Sequence, residues 1–75
     1  MTEQELTTLK KKFGKNLQRI RNTKGMSLLD VSYNCGIYDS KISKIEHGRY
    51  NITLSTIAEL AKGLGVTPSE LLDFQ

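Results

Sequence analysis

Residues 31–48 read VSYNCGIYDSKISKIEHG, and the spacing of apolar residues in this stretch decides the fold. Gly36 divides the stretch into two parts, and Gly48 ends the second part. The apolar residues on either side of Gly36 recur at helical steps of three or four: Val31, Cys35, Ile42 and Ile45. Two short helices joined by a glycine-containing turn form a helix-turn-helix motif, which we predict over about residues 27–47.

The turn and the helix that follows it carry the first functional hint. Gly36 is expected to adopt a positive φ at the turn, because other residues avoid that conformation. The next helix, over about residues 38–47, is predicted to present a short polar face of a size that a DNA major groove admits. The side chains predicted to lie on this face are Asp39, Ser40, Lys41, Ser43 and Lys44.

Three further helices are predicted around this motif. The first begins within residues 2–8 and ends by Gly25. Its amphipathic pattern is made by Leu6, Leu9, Phe13, Leu17 and Ile20. The fourth helix follows Thr53 and the fifth follows Thr67, and both threonines are typical helix caps. Because no β pattern or repeat competes, the sequence predicts an all-α fold, a compact five-helix single domain over residues 1–75.

The composition argues against several classes of protein. A single cysteine allows neither an intramolecular disulfide nor a cysteine-based zinc cluster, and a free thiol suits a reducing cytosol. No apolar run approaches the roughly 18 residues of a membrane span, and the N-terminus lacks the apolar segment of a signal peptide. No carboxylate pair or phosphate-binding glycine loop is evident. We therefore expect a cytoplasmic protein that is not an enzyme and that uses no cofactor and no membrane.

The distribution of charge points to a polyanionic partner. Residues 10–49 contain ten basic and three acidic residues, for a net charge of +7, whereas residues 1–9 and 50–75 each carry −2. Basic charge thus coincides with the predicted motif and the helix before it, which is typical of nucleic-acid binding. The run Lys10, Lys11, Lys12 and Lys15 is expected to add long-range attraction without direct contacts.

Three stretches together resemble the Cro and phage-repressor-like (XRE) helix-turn-helix family: FGKNLQRIRNTKGMS at 13–27, the motif at 31–48, and LSTIAELAKGLGVTPSELL at 54–72. The resemblance implies a lambda-repressor-like domain that regulates transcription as a homodimer on a partly palindromic double-stranded operator. Family members include phage repressors, restriction-modification controller proteins and antitoxins, and a chain of this length fits the controllers best. The alternative is an antitoxin or another protein-interaction module on the same fold, with a toxin as its protein partner.

The resemblance implies base contacts by the helix after the turn, from Asp39, Ser40, Lys41 and Lys44. Two residues depart from the family pattern. Leu28 stands where glutamine is common, and Tyr38 stands where a short polar residue is common. We expect both side chains to be exposed, and one of them to contact a thymine methyl group. The alternative is that Leu28 packs on a neighbouring side chain and Tyr38 contacts phosphate through its hydroxyl.

Phosphate contacts are expected around the two motif helices, since such contacts fix register and supply much of the affinity. The candidates are Ser27, Ser43, His47, Arg49 and Asn51. Ser27 is also expected to cap the second helix. His47 has no second ligand at metal-binding spacing, so no metal site is predicted.

The family also pairs an arginine and a glutamate that match Arg21 and Glu46, and we expect a partly buried ion pair that orients the helix after the turn. The alternative is two unrelated surface charges. Near the C-terminus, the apolar residues exceed what a short last helix can bury. A two-fold dimer interface is therefore predicted from Ile52, Leu54, Leu72 and Phe74, the alternative being that Phe74 covers the monomer core.

Overall fold

The computed structural model describes residues 1–75 as five helices without strands, in agreement with the predicted all-α architecture. The helices are α1 (Glu3–Thr23), α2 (Leu28–Tyr33), α3 (Asp39–Glu46), α4 (Leu54–Leu64) and α5 (Pro68–Leu71). Helix α1 packs against α3 and α5, α2 packs against α3 and α4, and α4 packs against α5. Helices α2 and α3 with the turn between them are therefore enclosed on one side by α1 and on the other by α4.

Polar side chains define where four of the helices begin. Thr2, Ser27 and Thr67 each form a capping box with an acidic residue three positions later. Thr53 caps α4 by accepting a hydrogen bond from the Thr56 amide. Helix α3 is the exception, because Tyr38 occupies its N-cap position and makes no side-chain cap. The start of α3 thus leaves backbone N–H groups without a side-chain partner.

Glycines in the left-handed conformation end α1, α3 and α4. Gly25, Gly48 and Gly65 have φ values of 67°, 73° and 72°, and each follows the last residues of its helix in a hydrogen-bonded turn. After α3, for example, the amides of residues 48 and 49 donate to the carbonyls of Ile45 and Lys44, both at 3.0 Å. The expectation for Gly36 is wrong. Its φ is not positive, because α2 already ends at Asn34 in a right-handed conformation.

The core draws apolar side chains from all five helices. Its buried members are Phe13, Leu17, Ile20, Val31, Ile42, Ile45, Leu60, Ala61, Leu64 and Leu71. Ile42 and Ile45 lie on one face of α3, so the opposite face of that helix is left for solvent. Cys35 packs against this core as a partly buried free thiol, as its helical spacing predicted.

Two residues of α1 fix its position against the other helices. Gly14 has no side chain where α1 crosses the end of α3, and a Cβ there would lie 2.6 Å from the Ile45 carbonyl oxygen. Asn16 is buried and donates hydrogen bonds from Nδ2 to the carbonyls of Glu70 (3.1 Å) and Leu71 (2.9 Å). These bonds satisfy carbonyl groups at the end of α5. Neither role was predicted from the sequence.

Candidate nucleic-acid interface

The exposed face of α3 is polar and lies opposite the isoleucines that anchor the helix. Five side chains at its start and along its length are exposed, as expected: Tyr38, Asp39, Ser40, Lys41 and Lys44. Tyr38 is 81% exposed and stands at the very start of the helix. Helix α3 has eight residues, and an α-helix about 10–12 Å across fits the roughly 12 Å width of a major groove.

An ion pair fixes the orientation of this helix. Arg21 Nε donates to Glu46 Oε2 at 2.7 Å and Arg21 Nη2 donates to Oε1 at 3.0 Å, so the pair is bidentate. The two side chains are only 12% and 2% exposed. Hydrogen bonding to Glu46 raises the pKa of Arg21 above its ordinary value. The expected partly buried pair is therefore present, and the alternative of two unrelated surface charges is wrong.

The same arginine ties the pair to the start of the motif. Arg21 Nη1 donates to the carbonyl of Met26 at 2.9 Å, directly before the N-cap of α2. One guanidinium thus joins the end of α1, the entry to α2 and the end of α3. Because a planar guanidinium holds its donors in a fixed fork, these three elements are held in one relative geometry.

The N-terminus of α2 is the second exposed polar site. The Ser27 hydroxyl accepts from the Asp30 amide at 3.0 Å, and the Ser27 amide donates to Asp30 Oδ2 at 2.8 Å. These hydrogen bonds lower the pKa of Asp30. The expectation that Leu28 is exposed is wrong, since its side chain packs against the core, which is the alternative left open for it. The exposed apolar residues of α2 are instead Leu29 and Tyr33, which the sequence analysis missed.

The loop after α3 brings further polar groups to the same surface. Arg49 and Asn51 are exposed there, and the left-handed Gly48 lies against α1. His47 is also exposed, and its Nδ1 donates to the Ser43 carbonyl at 2.7 Å, which leaves Nε2 free. Ser43 itself is only partly exposed. The expected phosphate contacts therefore lie around the end of α3, except for Ser27, which lies at the start of α2.

One aromatic contact in this region was not predicted. The Nζ atom of Lys41 lies over the ring of Tyr50, 5.7 Å from the ring centroid. This is a distance at which the ring quadrupole attracts a cation. A lysine nine residues before a tyrosine has no helical or strand relationship to it, so only the path of the loop reveals the contact.

The four residues expected at a dimer interface divide into two pairs. Leu54 and Leu72 are 78% and 49% exposed. Ile52 and Phe74 are instead partly buried against the core, and the Phe74 ring meets Phe13 edge-on with centroids 6.4 Å apart. The alternative that Phe74 covers the monomer core is therefore the one found. A shallow apolar groove of about 140 Å³ runs between α1 and the C-terminal residues, lined in part by these side chains.

Other kinds of site find little support in the chain. No three His, Cys, Asp or Glu side chains are grouped closely enough to bind a metal ion. None of the five helices combines the length and apolar character that crossing a bilayer requires.

Comparison with protein families matches residues 12–74 to a family described as a helix-turn-helix domain. Control protein C.BamHI from Bacillus amyloliquefaciens is 40% identical over 63 residues, which cover 83% of this chain and 78% of the relative. An uncharacterised HTH-type transcriptional regulator from Sinorhizobium fredii is 38% identical over 64 residues, which cover 85% of this chain and 83% of the relative.

Comparison with solved structures also finds restriction-modification controller proteins. The restriction-modification controller protein C.AhdI from Aeromonas hydrophila superposes with a TM-score of 0.77 at 34% identity, covering 81% of this chain and 92% of the other. The controller protein C.Esp1396I, solved as a tetramer in complex with its natural 35 base-pair operator, superposes with a TM-score of 0.79 at 29% identity. That match covers 87% of this chain and 86% of the other.

Proposed function

This chain belongs to the helix-turn-helix domain family, and from that premise we propose that it is a sequence-specific regulator of transcription that binds double-stranded DNA as a homodimer. The single observation that carries the proposal is the exposed polar face of α3, held in place by the buried Arg21–Glu46 ion pair. The similarity to control protein C.BamHI favours a controller of restriction-modification genes. The proposed role is that of a binding protein rather than an enzyme, and the proposed location is the cytoplasm.

Base reading is assigned to the α3 face. Ser40 and Lys44 lie one helical turn apart on its central stripe, and Lys44 has the donor that guanine O6 and N7 accept. Asp39 is suited to the amino group of cytosine, while Tyr38 is suited to a thymine methyl group. Lys41 flanks this stripe at the edge of the surface.

Phosphate binding is assigned to the polar groups that frame α3. Arg49, Asn51 and His47 offer exposed donors beside the end of the helix, and Ser43 and Ser27 add hydroxyl groups. Contacts of this kind fix the register of the protein on the duplex and carry no base information. The segment charge of +7 supports the same assignment, because each neutralised phosphate releases condensed cations.

The homodimer is assigned to the surface around Leu54 and Leu72, with Ile52 and Phe74 contributing what remains exposed of their side chains. Leucine side chains as exposed as Leu54 and Leu72 are unfavourable in water. In a dimer with two-fold symmetry, each subunit would cover this patch on the other. Two recognition helices would then lie about 34 Å apart, one turn of DNA, on a partly palindromic operator.

Selection from a random duplex library at about 150 mM salt tests the proposal, since nonspecific binding weakens steeply with salt. The expected result is an enriched inverted repeat with half-sites about one turn apart. Lys44→Ala should relax the preference at one base pair, whereas Lys62→Ala, outside the basic segment, is the matched control. A folded protein that enriches no sequence would contradict the proposal.

A further inference from the structure

Lys41 occupies a position that differs from those of the other polar residues on α3. Its amino group lies over the ring of Tyr50, in the loop that follows the helix. Tyr50 stands between Arg49 and Asn51 in the chain, and both are exposed residues assigned above to phosphate binding. The cation of Lys41 is therefore drawn toward this loop rather than along the central stripe of α3.

We infer that Lys41 binds a DNA phosphate rather than a base, and that Tyr50 is the positioning residue that holds its amino group beside the phosphate-binding loop. The inference rests on the proposed function, since it specifies which part of the operator Lys41 touches. It changes the assignment of Lys41 made from the sequence and leaves Ser40 and Lys44 as the central base readers.

The ring of Tyr50 is well placed to act as a support. It is 39% exposed and lines the apolar groove together with Phe13, Ile52 and Phe74. Because these neighbours belong to or pack on the core, they restrict how far the ring can move relative to α3. A lysine side chain has four rotatable bonds and loses much conformational freedom when it binds a phosphate. Contact with the Tyr50 ring already restricts these bonds in the free protein, so less freedom is lost on binding.

The chemistry of the contact favours phosphate as the target. An ammonium over an aromatic face keeps its full positive charge and can still turn its N–H groups toward an anion. Phosphate binding depends on charge and tolerates such rotation, whereas reading a base edge requires donors in a defined direction. One residue on α3 turns the side chain by about 100°, so Lys41 points well away from the direction of Ser40.

The first experiment separates phosphate from base contacts. The affinity of the wild-type chain, Lys41→Gln and Lys44→Gln is measured on the selected operator, on its single-base variants and over a range of salt concentrations. Lys41→Gln is expected to weaken binding to all duplexes by the same factor and to reduce the magnitude of the salt slope by about 0.9 per subunit contact. A changed preference at one base pair with an unchanged salt slope would overturn the inference.

The second experiment isolates the role of Tyr50. Tyr50→Leu should weaken operator binding roughly two- to fivefold, the range of exposed cation–π contacts, while Tyr50→Phe keeps the ring and should bind like the wild type. In the Lys41→Gln background, Tyr50→Leu should have no further effect. An equal loss in that background, or a loss in Tyr50→Phe, would show that Tyr50 acts independently of Lys41. Circular dichroism checks that each variant is folded.

The proposed function and the roles of Lys41 and Tyr50 are contradicted by different results. If the wild-type chain selects no operator, the proposed function itself is wrong. If it selects an operator but Lys41→Gln relaxes specificity, only the inference about Lys41 and Tyr50 is wrong.

Discussion

Replacing Gly14 by alanine tests how closely α1 approaches the backbone at the end of α3. A Cβ at this position would lie 2.6 Å from the carbonyl oxygen of Ile45 and even closer to that of Glu46. Both obstacles are backbone atoms at the end of α3, so no side-chain rotation can relieve the overlap. Ordinary contacts of a Cβ begin at 3.4 Å, so relieving the overlap with the Glu46 oxygen would require α1 and α3 to separate by roughly 1.1 Å.

The expected cost follows from two opposing terms. Overpacking of this severity costs about 2–3 kcal/mol, while alanine is better than glycine inside a helix by about 1 kcal/mol. The net loss of stability for Gly14→Ala is therefore about 1–2 kcal/mol, which corresponds to a decrease in Tm of about 5–15 °C for a domain of this size.

Thermal and urea denaturation followed by circular dichroism, at one fixed protein concentration, measures this loss. Gly36→Ala is the matched control, because nothing lies within 4 Å of its Cβ position and its φ is not positive. That variant should differ from the wild type by less than about 0.5 kcal/mol. A Gly14→Ala protein at least as stable as the wild type would refute the close approach of α1 to α3.

Three further outcomes are expected. Arg21→Ala and Glu46→Ala should each lower the free energy of unfolding by about 3–5 kcal/mol in urea denaturation, because either change leaves a buried charge unpaired. Losses that simply add in the double variant would contradict a direct interaction between the two side chains. Asn16→Ala should cost about 1–3 kcal/mol in the same assay, since two carbonyls at the end of α5 lose their partner. Because the pKa of Asp30 is lowered in the folded protein, its carboxylate stabilises the fold above the ordinary carboxyl pKa, and this stabilisation is lost as the pH falls through the lowered value. Asp30→Asn should therefore make Tm fall less steeply on acidification. An unchanged dependence of Tm on pH would argue against the capping box.

The sequence was sufficient where local chemistry determines structure. Ser27 and Thr67 are the expected helix caps, and each forms a capping box with the acidic residue three positions later. Gly25 and Gly48 stand at helix ends in the left-handed conformation that glycine tolerates. These features depend on neighbours within a few residues, so their spacing in the chain is enough to predict them.

Features that depend on how distant parts of the chain pack together could not be predicted from residue spacing. Leu28 looked exposed because it directly follows a helix cap, but it packs against the core one helical turn before the buried Val31 and leaves Leu29 in solvent. Gly36 lies in the turn between α2 and α3, as predicted, but its φ is not positive. The Lys41–Tyr50 contact depends on how a loop returns along α3, which no periodic pattern encodes. The Arg21–Glu46 pair was predicted only because the family resemblance supplied the match.

The hydrogen bonds from Asn16 affect how the protein folds during translation. They link α1 to carbonyls 54 and 55 positions later in the chain, beside the fully buried Leu71. Translation delivers α1 first, and α3 covers part of its inner face, but the part around Asn16 is covered only by α5. The packing of α1 is therefore complete only after residue 71 has left the exit tunnel, so α5 completes the covering of the helix that is synthesised first.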